Sequence, residues 1–531
     1  MSGLRIVTTE DTPASYQGAT EAENYPAHCV ITGKLNERTG SDGKPYAIGF
    51  ELRLPTPWNR RFFFQGGGGS DGFIVPALGT LTGGYKRSNA LSQGFAVVAM
   101  DGGHVMEDSG GFLGGGTFGL EPDARIDYGY RALGTMTVAA KQIVEAVYGL
   151  PIERSYFVGC SNGGRQGMVA AARFAEQFDG IVAGNPGFQL PRAAIQHAWD
   201  YQQLSAVDTN VPDAFTPDEL ALIGASINAK CDALDGVTDE LVQDAALCGS
   251  MFDSDNDIPG CQGDTRTGRC LTAKQKLALR NIMAGPVDSQ GQALYSDWPW
   301  DAGLGSEDFM GWRGWKLGIP LLGGFSLITT GGAASLAYIF TTPPTDLSLD
   351  PRAALDESAV LKSYLTDFDF DRDAPKIYAT SGAFTESAMS FMTPPDGDHL
   401  TSFAAKSGKL IVYHGAADPV FSANDTRRWY EDLSAKVPDA ASFARLFLVP
   451  GMAHCGGGPT LDSFDLFAAL VDWVEHGVAP EAVVTRVNPD NTSVPATWPL
   501  TRTRLLCPHP LHAQLTAADA DTESAASFGC K

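Results

Sequence analysis

Basic residues are scarce in this chain. Its 531 residues include 38 Lys and Arg against 62 Asp and Glu, which gives a formal net charge of −24 at pH 7. Such an acidic surface repels phosphate backbones and anionic lipid headgroups. We therefore expect no nucleic-acid partner and no electrostatic attachment to a membrane.

Long apolar runs are missing as well. The longest, such as FAVVAM at 95–100, have the length of a strand, whereas a membrane-spanning helix needs roughly 20 apolar residues. The amino terminus, MSGLRIVTTEDTPAS, lacks the basic region and apolar core of a secretory signal. The sequence predicts no membrane span, and it leaves a cytosolic protein and a processed secreted protein both open.

Cysteine helps to separate these two compartments. Six of the nine cysteines form short-range pairs in polar, loop-like sequence: Cys231 with Cys248, Cys261 with Cys270, and Cys507 with Cys530. Such pairs favour disulfides in an oxidising compartment, and hence a secreted or periplasmic protein. The alternative is a set of unpaired thiols.

Short apolar runs alternate with helical patterns in the first 190 residues. A helix is predicted over 124–149, where apolar residues recur at three- and four-residue spacing, and further helices are predicted near 424–436 and 463–477. Strands are predicted at 60–65, 95–101, 155–160, 180–185, 409–415 and 444–451. This alternation is typical of βαβ units around a buried parallel sheet.

The alternation of strand-like and helical patterns stops between about 191 and 404, where Gly, Pro, Asp and Trp are frequent. An insertion at this point of a doubly wound sheet would lie over the carboxyl ends of the strands, where ligands bind. We therefore predict an α/β fold in which residues 1–190 and 405–531 form one doubly wound domain. Residues 191–404, called the lid segment below, are predicted to form its lid domain.

Two stretches match G-x-S-x-G, the strand-to-helix turn that presents a nucleophilic serine. Ser161 in GCSNG follows an apolar strand and precedes a good helix, whose first amides favour negative charge. Ser70 in GGSDG is followed by DGFIVPALGTLTGG, which is a poor helix. The context favours Ser161 as the nucleophile.

The glycine run around Ser70 suits a different role. Backbone amides of such a run after the first core strands can bind a tetrahedral oxyanion. We interpret Gly68 or Gly69, together with the amide of Asn162, as the oxyanion hole. A flexible turn is the alternative.

A serine nucleophile of this type needs an acid and a base that follow it in the order Ser, Asp, His. Asp418 in VYHGAADPVF and His454 in VPGMAHCGGG each follow a predicted strand in that order. Asp425 and His414 are neighbours that we assign to a helix start and to local hydrogen bonding.

Cysteines flank two of these residues. Cys160 precedes Ser161 and Cys455 follows His454, so a Cys160–Cys455 bond would tie the nucleophile to the base. A thiol nucleophile at Cys160 is an alternative that leaves Cys455 and the serine unexplained. A Cys/His metal site is disfavoured because no further ligand lies at zinc-like spacing.

Three motifs carry a family resemblance. GCSNGGR (159–165), HGAAD (414–418) and GMAHC (451–455) resemble the nucleophile, acid and base motifs of the tannase and feruloyl esterase family of α/β-hydrolases, in which the adjacent cysteines are disulfide-bonded. The resemblance extends from about His28 to Cys530. It implies an α/β-hydrolase fold with a large inserted lid domain, in which residues 1–190 and 405–531 form the catalytic domain. It also implies a serine carboxylesterase that needs no organic cofactor and hydrolyses small-molecule aromatic esters through an acyl-enzyme.

Within the family, residues 368–382 and 443–455 look most like the branch that contains the mono(2-hydroxyethyl) terephthalate hydrolases. By that resemblance Phe421 would line the acyl pocket. Those hydrolases grip the substrate carboxylate with a lid arginine, yet no Lys or Arg occurs from Leu317 to Pro351. We therefore expect neutral phenolic esters, such as gallates or hydroxycinnamates. A terephthalate-monoester or broad small-ester hydrolase and, more distantly, a non-catalytic binding protein are the alternatives.

The stretch CDALDGVTDEL (231–241) resembles the family's calcium loop in the lid. The resemblance implies a structural Ca²⁺, an ion that prefers oxygen ligands, and Glu240 stands where glycine is common in the family. From the residues alone, a solvated turn is the alternative. The implied ligands are the carboxylates of Asp232, Asp235 and Asp239 and the carbonyls of Val237 and Leu241.

Cys29 is the odd cysteine. Relatives pair it with a cysteine near the amino terminus that this sequence lacks. The resemblance therefore implies a free thiol or a chain without that partner segment. The sequence leaves the oligomeric state undetermined.

Overall fold

A nine-stranded sheet is the central element of the computed structural model, which describes residues 3–16, 24–83, 89–106, 116–318, 326–349, 357–395, 397, 399–517 and 519–531. We number its strands in chain order: β1 Leu4–Thr12, β2 His28–Thr39, β3 Pro45–Pro55, β4 Arg61–Gln65, β5 Ala96–Met100, β6 Arg154–Cys160, β7 Gly180–Gly184, β8 Lys409–Gly415 and β9 Ala444–Val449.

The spatial order of the sheet is β1-β2-β3-β5-β4-β6-β7-β8-β9. All pairs from β5 onward are parallel, and they come from the six strands that the sequence predicts. The antiparallel strands β1, β2 and β3 extend one edge and were not predicted. Shorter pairs join Ser15–Tyr16 with Asn24–Tyr25, Val483–Arg486 with Thr503–Leu506, and Ala513–Leu515 with Phe528–Cys530.

Helices cover both faces of the sheet because the parallel strands are apolar on both sides. Successive side chains of a strand point to opposite faces, so Phe62 and Phe64 join one core cluster while Phe63 joins the other. The helices of at least eleven residues are α1 Ala132–Tyr148, α2 Asn162–Arg173, α3 Leu190–Val207, α4 Pro217–Cys231, α5 Ala273–Ala284, α6 Glu357–Asp367, α7 Ala423–Lys436 and α8 Leu466–His476.

The lid segment lies between β7 and β8 along the chain. Helices α4, α5 and α6 and most of α3 belong to it. Most of its buried apolar side chains, including Trp298 and Trp312, lie in a third core cluster that also contains Tyr128 and Phe421. Its described residues add no strand to the nine-stranded sheet. Shorter helices lie at Pro122–Ile126, Ala245–Met251, Ser254–Asp257, Ala333–Ser335, Ala388–Met392 and Thr401–Ala405.

Four disulfides join the cysteines that were expected to pair. They are Cys160–Cys455, Cys231–Cys248, Cys261–Cys270 and Cys507–Cys530. Cys29 lies on β2 as a free, partly exposed thiol, and burial together with the nearby Asp11 raises its pKa. None of the helices in the described ranges has the length and apolar character needed to cross a bilayer.

Candidate active site

Ser161 stands at the turn between β6 and α2. Its φ of 64° and ψ of −124° place it in a backbone conformation that non-glycine residues rarely adopt, as in a nucleophile elbow. The flanking glycines leave room for this turn. A Cβ on Gly159 would lie 2.7 Å from the backbone of Gly163, and a Cβ on Gly163 would lie 2.5 Å from the carbonyl oxygen of Gly67.

His454 connects the serine to the acid. Its Nε2 lies 2.8 Å from Ser161 Oγ, and its Nδ1 lies 2.9 Å from Asp418 Oδ2. Since Nδ1–H must donate to the carboxylate, Nε2 is left to accept the serine proton. The three residues that were predicted from loops far apart in the sequence therefore form one continuous hydrogen-bonded chain.

Two further side chains hold the Asp418 carboxylate. Asn185, at the end of β7, donates from Nδ2 to Asp418 Oδ2 over 2.7 Å, and His414 Nε2 lies 3.2 Å from the same oxygen. Burial alone would raise the pKa of Asp418, but the adjacent His454 and His414 rings outweigh it and hold this pKa far below its usual range. These contacts favour the charged form of the Asp418 carboxylate.

The two residues set aside from the triad make local contacts, and His414 also contacts Asp418 as described above. Asp425 lies in the first turn of α7, and His414 Nδ1 lies 2.8 Å from the hydroxyl of Thr426. Asn185 was missed. Its position at the carboxyl end of a parallel strand was the available signal, because that edge also carries Ser161 and Asp418.

The glycine run packs directly against the nucleophile turn. The N–H of Gly67 donates to Gln166 Oε1 of α2 over 3.0 Å. A Cβ on Gly68 or Gly69 would meet no atom of the described residues within 4 Å, so these residues leave space beside this part of the run. Asn162 is the first residue of α2, where helix amides lack an intrahelical acceptor.

Aromatic side chains wall the base. The ring centroid of Trp315, from the lid segment, lies 5.1 Å from that of His454, and the centroid of Phe421 lies 5.4 Å from it. Both rings are edge-on to the imidazole. The His454 amide donates to the carbonyl of Met310, also in the lid segment. The lid segment thus contributes both surface and anchoring to the site.

The two cations next to Trp315 in the chain are engaged elsewhere. Lys316 is fully buried, pairs with Asp200, and lies over the Trp298 ring. Arg313 donates to the carbonyls of Pro212 and Phe215. Neither cation is available to a substrate. Residues 319–325 and Arg352 lie outside the described residues.

The predicted calcium loop is folded around its own backbone. Asp232 accepts from the amides of Asp239 and Glu240, and Asp239 is paired with the buried Arg504 guanidinium, whose Nε lies 2.8 Å away. Asp235 is buried, and its Oδ2 has no hydrogen-bond partner among the residues that the structure describes. Burial and the charges of Asp239 and Asp232 raise the pKa of Asp235 to about 7.

In the part of the chain that the structure describes, no group of three or more His, Cys, Asp and Glu side chains is arranged to hold a metal ion.

The predicted calcium loop contacts the last residues of the chain. Val237 packs with Cys507 and Phe528, and Arg502 donates to the carbonyl of Asp239.

Comparison with known proteins finds ester hydrolases among the relatives of this chain. The mono(2-hydroxyethyl) terephthalate hydrolase of Piscinibacter sakaiensis is 41% identical over 532 residues, which cover 96% of this chain and 85% of that protein. A probable feruloyl esterase B-2 of Aspergillus flavus is 29% identical over 465 residues, which cover 83% of this chain and 77% of that protein.

Solved structures share the architecture. The crystal structure of feruloyl esterase B from Aspergillus oryzae superposes with a TM-score of 0.73 at 23% identity and covers 100% of this chain and 97% of its own. The tannin acyl hydrolase from Aspergillus niger gives 0.67 at 23% identity, with 100% and 92% covered. The predicted α/β-hydrolase fold is therefore confirmed. The model of the tannase and feruloyl esterase family matches residues 29–531, and the chain belongs to this family of carboxylic ester hydrolases.

Proposed function

We propose that the protein is a serine carboxylesterase that hydrolyses esters of aromatic, phenolic acids such as gallate or hydroxycinnamate. The observation that carries the proposal is the continuous chain from Ser161 through His454 to Asp418, with distances of 2.8 and 2.9 Å. Such a chain has no use in a protein that only binds its ligand.

Each member of the chain has a defined role. His454 Nε2 takes the Ser161 hydroxyl proton as Oγ attacks the ester carbonyl, and it later delivers a proton to the leaving alcohol. Asp418 keeps the ring in the required tautomer and stabilises the imidazolium that forms. Water then attacks the acyl-enzyme carbonyl and loses a proton to His454, which returns that proton to Ser161 Oγ as the acid is released.

The amides of Asn162 and of Gly68 or Gly69 bind the oxyanion. A tetrahedral intermediate places negative charge on the former carbonyl oxygen, and preorganised N–H donors stabilise that charge without reorganisation. Asn162 opens α2 directly after the nucleophile, and the glycine run borders open space beside the same turn.

The surroundings of His454 favour a neutral aromatic acyl group. Trp315 and Phe421 offer flat apolar surfaces that suit an aromatic ring. Lys316 and Arg313 already have partners, so neither of these two cations would offset the cost of desolvating a free carboxylate on the substrate.

Hydrolysis of mono(2-hydroxyethyl) terephthalate is the second candidate activity. The 41% identity to a hydrolase of that ester over nearly the whole chain favours it. The same catalytic residues would serve both activities, so the difference is confined to how the acyl ring is recognised.

A matched substrate series separates the two. We expect kcat/KM for methyl gallate and methyl ferulate to exceed that for mono(2-hydroxyethyl) terephthalate by about tenfold or more, because an unpaired carboxylate is costly to bury. The control substrate is methyl 2-hydroxyethyl terephthalate, in which the free carboxylate of the monoester is methylated. It keeps the ring and the scissile bond but removes the charge. A preference for the charged monoester over this neutral analogue would contradict the proposal.

A structural Ca²⁺ in the 231–241 loop is part of the proposal. Its donors would all be oxygens, as a hard cation prefers, and the buried, unpartnered Asp235 Oδ2 supports a cation there. The carboxylate of Asp232 accepts from backbone amides, and that of Asp239 accepts from Arg504. Binding of Ca²⁺ therefore requires both carboxylates to turn toward the ion.

Calcium should therefore stabilise the fold. At a concentration 100 times the Kd it contributes about 2.7 kcal/mol, which raises the melting temperature by a few degrees over a chelator-treated sample. Asp235→Asn should abolish this response, whereas Asp264→Asn, at an exposed position outside the loop, should keep it. An identical melting temperature with Ca²⁺, Mg²⁺ and chelator would argue against the site.

We also propose that the protein works in an oxidising compartment, as a secreted or periplasmic enzyme. Four disulfides support this, since such bonds persist where thiols are not kept reduced.

A further inference from the structure

Asp71 is a buried acid beneath the glycine run. It belongs to the GGSDG stretch (68–72) whose serine is not the nucleophile, and its side chain is only 2% exposed. Its φ of 50° is unusual for a residue with a side chain. A Cβ placed on Gly67 or on Gly102 would lie 2.9 Å from its carboxylate, so backbone surrounds it closely and excludes water.

The carboxylate joins the two sources of oxyanion donors. Oδ1 accepts from Asn162 Nδ2 over 2.5 Å, and Oδ2 accepts from Gln166 Nε2 over 2.8 Å. Asn162 supplies the helix amide of the proposed oxyanion hole. Gln166 contacts the second source of donors, the glycine run. Its Oε1 accepts the N–H of Gly67, the residue that precedes Gly68.

Both amide side chains are fixed in orientation. Arg165 Nε donates to Asn162 Oδ1 over 2.8 Å, and the Gly67 amide donates to Gln166 Oε1, so each side chain must present its NH₂ group to Asp71. Only a group that accepts at both oxygens satisfies this arrangement. Burial raises the pKa of Asp71 to about 6, while Gln166, Arg165 and Asn162 favour its charged form.

We propose that Asp71 is a positioning residue for ester hydrolysis: through Asn162 and Gln166 it holds the helix amide and the glycine-run amide at the separation that the oxyanion requires. The inference rests on the proposed function, since it assumes that these amides bind the oxyanion. The stabilisation of a developing charge depends on where the N–H donors lie. A substitution at Asp71 should therefore destabilise the transition state more than it weakens substrate binding.

Asp71→Asn tests this with minimal change in volume. The NH₂ group of the introduced asparagine would face the Gln166 NH₂ group, and turning Gln166 over would instead set its NH₂ against the Gly67 N–H, so one hydrogen bond is lost either way. We expect kcat to fall about 10- to 100-fold with KM within about threefold of wild type, by analogy with misplaced or missing oxyanion donors.

The exchange Asp71→Asn with Gln166→Glu supplies the rescue. The introduced asparagine would then donate to the introduced glutamate and accept from Asn162, while the glutamate accepts the Gly67 N–H, so every hydrogen bond and the net charge are restored. We expect kcat of the double variant to recover to within about fivefold of wild type.

Asp101→Asn is the matched control. Asp101 is a neighbouring buried acid whose carboxylate accepts from the amides of Gly49 and Gly103. We expect this substitution to lower the melting temperature while kcat stays near wild type.

Wild-type kcat in Asp71→Asn, or a folded double variant no faster than the single one, would overturn the inference. Equal losses in Asp71→Asn and Asp101→Asn would also overturn it, since they would indicate general destabilisation. Full activity of Ser161→Ala would instead refute the proposed function itself, so the two failures are distinguishable.

Discussion

Ser161→Ala should lower kcat for a methyl gallate or methyl ferulate ester by about 10⁴- to 10⁶-fold, the scale of nucleophile removal in serine hydrolases. The substitution removes the attacking Oγ that lies 2.8 Å from His454 Nε2 while leaving the turn and the base in place. The melting temperature should stay close to wild type because only one hydroxyl is lost. Single-turnover measurements should show no release of alcohol ahead of acid in the variant, since no acyl-enzyme forms.

The second G-x-S-x-G match provides the control for this result. Ser70→Ala makes the same chemical change in GGSDG, where the serine is partly exposed. It should retain activity close to wild type. Full activity of Ser161→Ala, or a comparable loss in Ser70→Ala, would contradict the assignment of the nucleophile.

Loss of the Cys160–Cys455 bond should cost about a hundredfold in kcat, the effect expected when reacting groups drift by about 1 Å. The bond joins the residue before the nucleophile to the residue after the base, across a sequence separation of 295. Cys455 has a φ of 64°, so the base loop leaves His454 through an uncommon conformation that the bond helps to hold. The measurement is kcat and melting temperature of the Cys160→Ala, Cys455→Ala double variant.

Removal of Cys261–Cys270 by the same substitutions is the comparison. That bond closes a short exposed loop in the lid segment, with a separation of 9 residues. Its loss should leave kcat near wild type. If the variant without Cys160 and Cys455 kept full kcat, the bond would have no role in aligning the serine and histidine.

The central parallel sheet could be predicted because its strands are buried on both faces and therefore read as continuous apolar runs. The order of Ser161, Asp418 and His454 followed from where those runs end. The antiparallel strands β1–β3 escaped notice because polar residues interrupt them. Strand β2, for example, passes from HCVITGKL into the polar NERT.

The partners within the site were harder to foresee. Asn185 reaches Asp418 across strands that are more than 200 residues apart in the chain, and sequence order says nothing about that contact. Asp71 was read only as part of a rival serine motif, since a carboxylate beneath a glycine run has no periodic signature. Hydrogen bonds of this kind depend on the packing of α2 against the run, which exists only in the folded protein.

The pairing of Asp239 with Arg504 bears on how this protein can be recombined with its relatives. A chimera that took residues 191–404 alone from a relative would place a foreign segment against residues 502–530 of this chain. Where the incoming segment placed no carboxylate at the position of Asp239, the Arg504 guanidinium would be buried unpaired, a change that typically costs about 3–5 kcal/mol. The unit of exchange is therefore the inserted segment together with this tail, although nearly a hundred residues of sheet and helix separate the two along the chain.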